Sequence, residues 1–277
     1  MIDRLPILAL LALASLPAPT ASGAAAPTAK RNYSITSFDR VRVDGPYQVS
    51  LKTNVTPYAR ASGSAASLDN VSVQVQGRTL VVRSSGNGWG GYPGEARGPV
   101  TIEIGTHELA SAYVNGAGAL DIDKVRGLSF SIDINGSGTA KVGRAEVDQL
   151  KVGITGAGSA NIAGKAKKLT AIVRGSSSFD AEGLSANDAV IGAEGPSMVR
   201  TEVVNSARIN ASGLAAVTLA GEPACTVKAQ GSANVVGCEQ ARRQTKASAP
   251  SSGSRKTSLA ILAIIAVCRA WFSRICA

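Results

Sequence analysis

The side chains that most often carry chemistry are sparse in this sequence. Its single histidine, His107, lies in GTHEL with no GxSxG motif nearby. One histidine excludes a multi-histidine metal cluster, and any Ser–His–Asp set would have to use it. Carboxylates are better represented. Asp121 and Asp123 share one side of a strand, and Asp133 with Glu103 forms a second candidate pair. Two carboxylates flanking a scissile bond are the apparatus of a glycosidase or a polysaccharide lyase. NGAGALDID (115–123) has the glycine-rich look of a calcium-binding nonapeptide, with Asp121 as ligand. The period argues against it: the equivalents of Asp121 in later repeats are Lys141, Asn161, Asp180 and Arg200. Lysine and arginine in that column cannot line a calcium ladder. NGAG and NGSG also lack the strand–GxGxxG–helix context of nucleotide sites. No catalytic residue, metal ligand or cofactor is therefore assigned.

Two other groups remain. Cys225 and Cys238, 13 positions apart, are either a disulfide or two small buried residues; Cys268 and Cys276 form no pattern. Trp89 and Tyr92 stand in a Gly/Pro-rich loop, SSGNGWGGYPGEARGP (84–99). Exposed aromatics on such a loop are the candidate contact with a partner. The alternative is a loop folded back to plug one end of the fold.

The elements that position these residues come from a repeat. Small-residue boxes begin NGAG (115–118), NGSG (135–138) and TGAG (155–158), and continue through RGSS, EGPS, ASGL and QGSA. Their marker glycines are Gly116, Gly136, Gly156, Gly175, Gly195, Gly213 and Gly231, spaced 18 to 20 apart. Positions two and four before each glycine are apolar, as in Ile134 and Ile132, and so are nearly all those four and six after it, as in Ala140 and Val142. The residues between them are mostly polar. Period-two alternation is the strand signature, and no segment of the repeat shows a helical period. Each repeat thus reads as two short strands separated by a glycine corner. Two strands cannot close a core, but stacked coils share one. The expected fold is all-β, a parallel β-helix with coils of about 19–20 residues. The glycines are structural turn residues. The small residues two positions on, such as Gly138 and Ser177, leave room for the coil stacked beside them. Alternating segments at 41–43, 47–51, 71–75, 80–82 and 100–104 read as the first, irregular coils of the same solenoid.

The termini bear on compartment. Residues 1–26 read as a secretory signal peptide: Arg4, an apolar run Leu5–Leu16, then small residues up to Ala26. The solenoid is expected over 31–240, irregular over 31–108 and regular over 109–240. Residues 241–257 read as a basic disordered linker, and 258–277 as a short apolar tail. That tail either contacts a membrane or is a plain extension; its uninterrupted apolar run, Leu259–Cys268, is shorter than a spanning helix needs. The net charge of +10 is concentrated at this end. Residues 241–277 hold seven Lys/Arg and no acid, so 22 basic against 19 acidic residues leave +3 on residues 1–240. A nearly neutral body argues against nucleic acid as a partner.

A signal peptide leading into FDRVRVDGPYQVSL, then LDNVSVQVQGRTLVV, then xGxG boxes about 20 apart is similar to the putative auto-transporter adhesin, head GIN domain family. The resemblance spans about residues 35–238. It implies a β-solenoid, bacterial export to the periplasm or cell surface, and adhesion, and supplies no catalytic residues. The sequence reading is thus an exported, non-enzymatic interaction module whose partner is an envelope protein or a glycan. The alternative is a carbohydrate-active enzyme on the same scaffold.

Overall fold

The structure is a computed structural model, and it describes residues 28–85 and 98–238. The signal-peptide segment, the loop bearing Trp89 and Tyr92, the linker 241–257 and the tail 258–277 lie outside the described residues.

The chain starts with β1 (Ala29–Tyr33), β2 (Arg40–Asp44), β3 (Gln48–Lys52) and β4 (Tyr58–Gly63), followed by α1 (Ala65–Asp69). Next come β5 (Val71–Gln76), β6 (Thr79–Ser84), β7 (Thr101–Gly105), β8 (Ser111–Gly116) and β9 (Ala119–Ile122). The long strands β10 (Val125–Gly136), β11 (Thr139–Gly156), β12 (Ser159–Gly175), β13 (Ser178–Glu194) and β14 (Met198–Gly213) form the regular body. β15 (Ala216–Ala220), β16 (Ala224–Gly231) and β17 (Asn234–Val236) end it.

Every neighbour in the body is parallel, with the register shifting only at bulges near the corners beyond Val142, Asn161, Ala181 and Ala186; Ile134 lies beside Val114 on one side and Ile154 on the other. The arrangement is a β-solenoid. Inward positions form columns of like residues, such as Val114, Ile134, Ile154 and Val173, each essentially buried. Phe179, the bulkiest member of its column, sits between Ala160 and Val199, so a large ring is accommodated by a methyl group on one side.

Each coil has three strand segments, not the two expected from the boxes. In β11 the alternation of buried and outward residues breaks at Gly143–Arg144 and again at Asp148–Gln149. Two successive outward residues mark a corner, so a third segment, Ala145–Asp148, lies between those breaks. Its inward residues are Ala145 and Val147, and Ala166, Ala186 and Val203 continue that face in later coils. With only two inward residues per pass, one of them often alanine, this segment gives too short an alternation to read as a strand.

The glycine column makes the remaining corner. All seven marker glycines have positive φ, from +72° at Gly231 to +112° at Gly156. At Gly136, φ is +111°, and a Cβ would stand 2.8 Å from the Gly116 carbonyl oxygen of the preceding coil. Conformation and stacking therefore both demand the absence of a side chain. Two residues on, a Cβ at Gly138 would lie 2.7 Å from Val114 Cγ1. In the next coils that column carries Ser177, whose buried hydroxyl donates to the Gly156 and Arg174 carbonyl oxygens at 3.0 and 2.9 Å. The column also has an unforeseen member, Gly45, with φ +121°. Its box, DGPY, fits the same template, with Val41 and Val43 before it and Val49 and Leu51 after it.

The amino-terminal part departs from a simple run of first coils. β2 lies between β6 and β8, and β3 between β7 and β9. The described chain thus begins at the outer edge with β1, drops to the second parallel row in β2 and β3, runs outward again through β4 and β5, and returns through β6 and β7 before the regular coils begin. The end itself is antiparallel: β5 pairs with β6, while β4 pairs with β7 and β1 covers β4. Antiparallel neighbours can be joined by tight turns, as at Gly77 between β5 and β6 (φ +63°). β1, the edge strand beyond β4, carries exposed Lys30, Arg31 and Asn32, which discourage further edge pairing. The short helix α1, capped by the Ser64 hydroxyl, was not signalled by any helical period. An ion pair between Arg78 and the largely buried Asp39 fixes the returning hairpin to the second row. The Asp39 carbonyl oxygen accepts from the Ala110 amide at 2.7 Å. At the opposite end, Cys225 and Cys238 are joined as a disulfide that ties the closing turn to β16.

Candidate functional site

The solenoid presents three outward faces, and their side chains are arrayed by register. On the face after the glycine corner two columns run along the axis. The first holds Thr101, Gln48, Ala119, Thr139, Ser159 and Ser178. The second holds Glu103, Ser50, Asp121, Lys141, Asn161 and Asp180. Because most of these side chains are short, a groove of about 610 Å³ runs between the columns across several coils. Successive rows are about 4.8 Å apart, so the trough is about 24 Å long. Its floor is the strand backbone with the inward residues Leu120, Ala140 and Ala160 beneath. Met198 and Arg200, longer side chains in the next row, bound it at one end.

The groove's charges are unpaired among the described residues, whereas some charges on other faces are paired between coils. Between adjacent coils elsewhere, Arg126 bonds Glu146 at 2.8 Å and Arg174 bonds Glu194 at 3.1 Å. Asp121 and Lys141 are likewise register neighbours, yet among the described residues neither is in an ion pair.

The candidate carboxylate sets are not assembled as a catalytic pair. Glu103 and Asp121 share a column with Ser50 between them, but Asp133 lies on a different face, beside Tyr113 and Gly153. Burial of Asp133 pushes its carboxyl above the ordinary aspartate range. Asp123 is at a corner, where its carboxylate accepts from the Thr53 amide at 3.0 Å and the Lys124 amide at 2.6 Å. That is a structural cap. His107 is exposed in the turn after β7, where its carbonyl oxygen accepts from the Asn54 amide at 3.0 Å. Among the described residues no three His, Cys, Asp or Glu side chains converge as a metal site. None of the described helices is long and apolar enough to cross a membrane.

The groove is not visible as a site in sequence, although one of its two columns is. The positions equivalent to Asp121 were identified, but only as a test for calcium. Their counterparts two residues earlier, the Ser/Thr column, had no reason to stand out until register placed them side by side.

Comparison with known proteins places this geometry. No protein of curated function matches the chain. Several solved structures share the fold, among them the following three. One, from Bacteroides fragilis and described as a "putative adhesin", has a TM-score of 0.68 at 15% identity, covering 76% of this chain and 96% of its own. A "putative lipid binding protein" from Parabacteroides distasonis has a TM-score of 0.61 at 18% identity over 76% of this chain and 96% of its own. A further "putative adhesin" from Parabacteroides distasonis gives 0.57 at 15% identity, with 76% and 97% covered. These likenesses are of fold. The model of one domain family matches residues 37–223, from just before β2 to just past β15, and so the chain belongs to the family described as "Putative auto-transporter adhesin, head GIN domain".

Proposed function

We propose that this protein is an exported, non-enzymatic interaction module of the bacterial envelope or surface, adhesin-like in action. The observation that carries the reading is the long face groove with unpaired polar groups on a stacked scaffold. Such a scaffold presents side chains at fixed spacing without the reorganisation that weakens binding by flexible loops. Family membership supports the same reading, and the amino-terminal segment 1–26 supports export. The competing catalytic reading needs paired carboxylates, and Asp133 faces away from both Glu103 and Asp121.

The test is retention of the purified full chain by isolated bacterial envelopes and by immobilised glycans, with polysaccharide turnover measured in parallel. Saturable retention without turnover is the expected result. Turnover that is abolished by Asp121→Asn would replace the module with an enzyme.

A further inference from the structure

The groove's chemistry narrows its occupant; the inference rests on the interaction-module reading and names the ligand class of that same site. We infer that the groove on the face after the glycine corner binds a neutral linear glycan laid along the solenoid axis.

The ladder itself removes one class of ligand. Strands on this face are hydrogen-bonded to both neighbours, so their amides and carbonyls are already used. An extended peptide docks on a sheet through a free edge, and the groove offers none. Recognition there falls entirely to side chains, and these are of a mixed kind. Thr139, Ser159 and Ser178 each donate and accept, Asn161 does both through its amide, and Asp121 accepts while Lys141 donates. A chain of sugar hydroxyls, each donor and acceptor at once, is the ligand that satisfies such an array row after row.

Charge decides between glycan types. The groove is lined by Asp121, Asp180 and Lys141, so its formal charges nearly cancel, and neither a polyanion nor a polycation is favoured. Among the described residues Asp121 and Lys141 form no ion pair, unlike Arg126 and Glu146, which leaves their polar atoms available for a ligand. The methyl groups of Ala119 and Thr139, above buried Leu120 and Ala140, supply apolar surface for the C–H faces of sugar rings. With about 4.8 Å per row, the trough offers several consecutive subsites, so affinity should grow with chain length.

The experiment titrates the full chain with neutral linear di-, tetra- and hexasaccharides of β-1,4-linked glucose, mannose, xylose and N-acetylglucosamine. An oligogalacturonate and a heptapeptide library serve as the charged and peptide arms. At least one neutral series should bind, more tightly as it lengthens. Asn161→Ala should weaken it about two- to tenfold through loss of hydrogen bonds. Ser159→Arg, which fills the middle of the trough, should weaken it at least tenfold. Arg174→Ala, on another face, should leave affinity unchanged; each variant is checked for wild-type far-ultraviolet dichroism and melting temperature. The proposal is overturned if no neutral series binds, if peptide or oligogalacturonate binds better, or if Asn161→Ala and Ser159→Arg both bind as wild type. Envelope retention that survives Ser159→Arg would sink the groove while leaving the interaction-module reading standing. Loss of retention by the wild-type chain would sink both.

Discussion

Three glycine substitutions separate what the backbone demands from what the stack demands. Gly77→Ala meets only the first: φ is +63° and a Cβ there has nothing within 4 Å. Left-handed backbone in a residue with a side chain costs about 1 kcal/mol. Gly138→Ala meets only the second, because its Cβ would press on Val114 Cγ1 at 2.7 Å and on the Gly118 carbonyl oxygen at 3.0 Å. Overpacking of this kind costs about 1–3 kcal/mol. Gly156→Ala meets both, with φ +112° and a Cβ 2.7 Å from the Gly136 carbonyl oxygen. That oxygen accepts from the Ala157 amide at 2.9 Å, so it cannot retreat without loosening an inter-coil hydrogen bond. Strain of about 1–3 kcal/mol and a weakened bond of about 1 kcal/mol put this variant at about 2–4 kcal/mol. For a domain of this size, about 2–4 °C of melting temperature follows each kcal/mol. Calorimetry should therefore show losses of about 2–4 °C for Gly77→Ala and about 4–16 °C for Gly156→Ala, with Gly138→Ala between or near the latter. Equal small losses at Gly77 and Gly156 would show that the column selects for φ alone, and the stacking argument would fall.

Other outcomes follow from the same core. Thr201 points inward in the column of Ala181 and Leu219, with its hydroxyl buried and without a partner among the described residues, so Thr201→Val should stabilise by about 1 kcal/mol in urea titration. No gain would mean that the hydroxyl is satisfied. Asp133 has a raised pKa from burial, so the native state holds its proton more tightly than the unfolded chain. That favours folding below the ordinary aspartate value and is lost as pH rises through the raised one. Asp133→Asn should accordingly raise the melting temperature at pH 7 but not at pH 3; a gain of equal size at both would contradict the titration argument. Replacing Cys225 and Cys238 by serine opens a loop of 13 residues and should cost up to about 3 kcal/mol. Hydrogen exchange should then quicken first at Asn234–Val236, and unchanged protection there would show that β17 is held by packing alone.

Much of this protein was written in its period. Alternation around Gly116, Gly136 and Gly156 specifies strands, and the recurrence of like residues every 18 to 20 positions specifies that coils stack in register. The physical reason is local: a parallel ladder places equivalent residues side by side, so each coil must repeat its neighbour's inward pattern. The glycine corners were legible for the same reason, since a side chain there meets the next turn of backbone. Three things needed tertiary structure. The third segment, Ala145–Asp148, buries only two inward residues, and that is too short an alternation to signal a strand. The placement of β2 between β6 and β8 depends on contacts across an insertion of a hairpin, a helix and a loop, and no local pattern encodes which row lies outermost. The groove depends on residues about 20 apart becoming neighbours at strand spacing. Asp121, Lys141 and Asn161 are unremarkable one by one, and only their alignment on one face, with Asp133 turned to another, makes a surface that can bind.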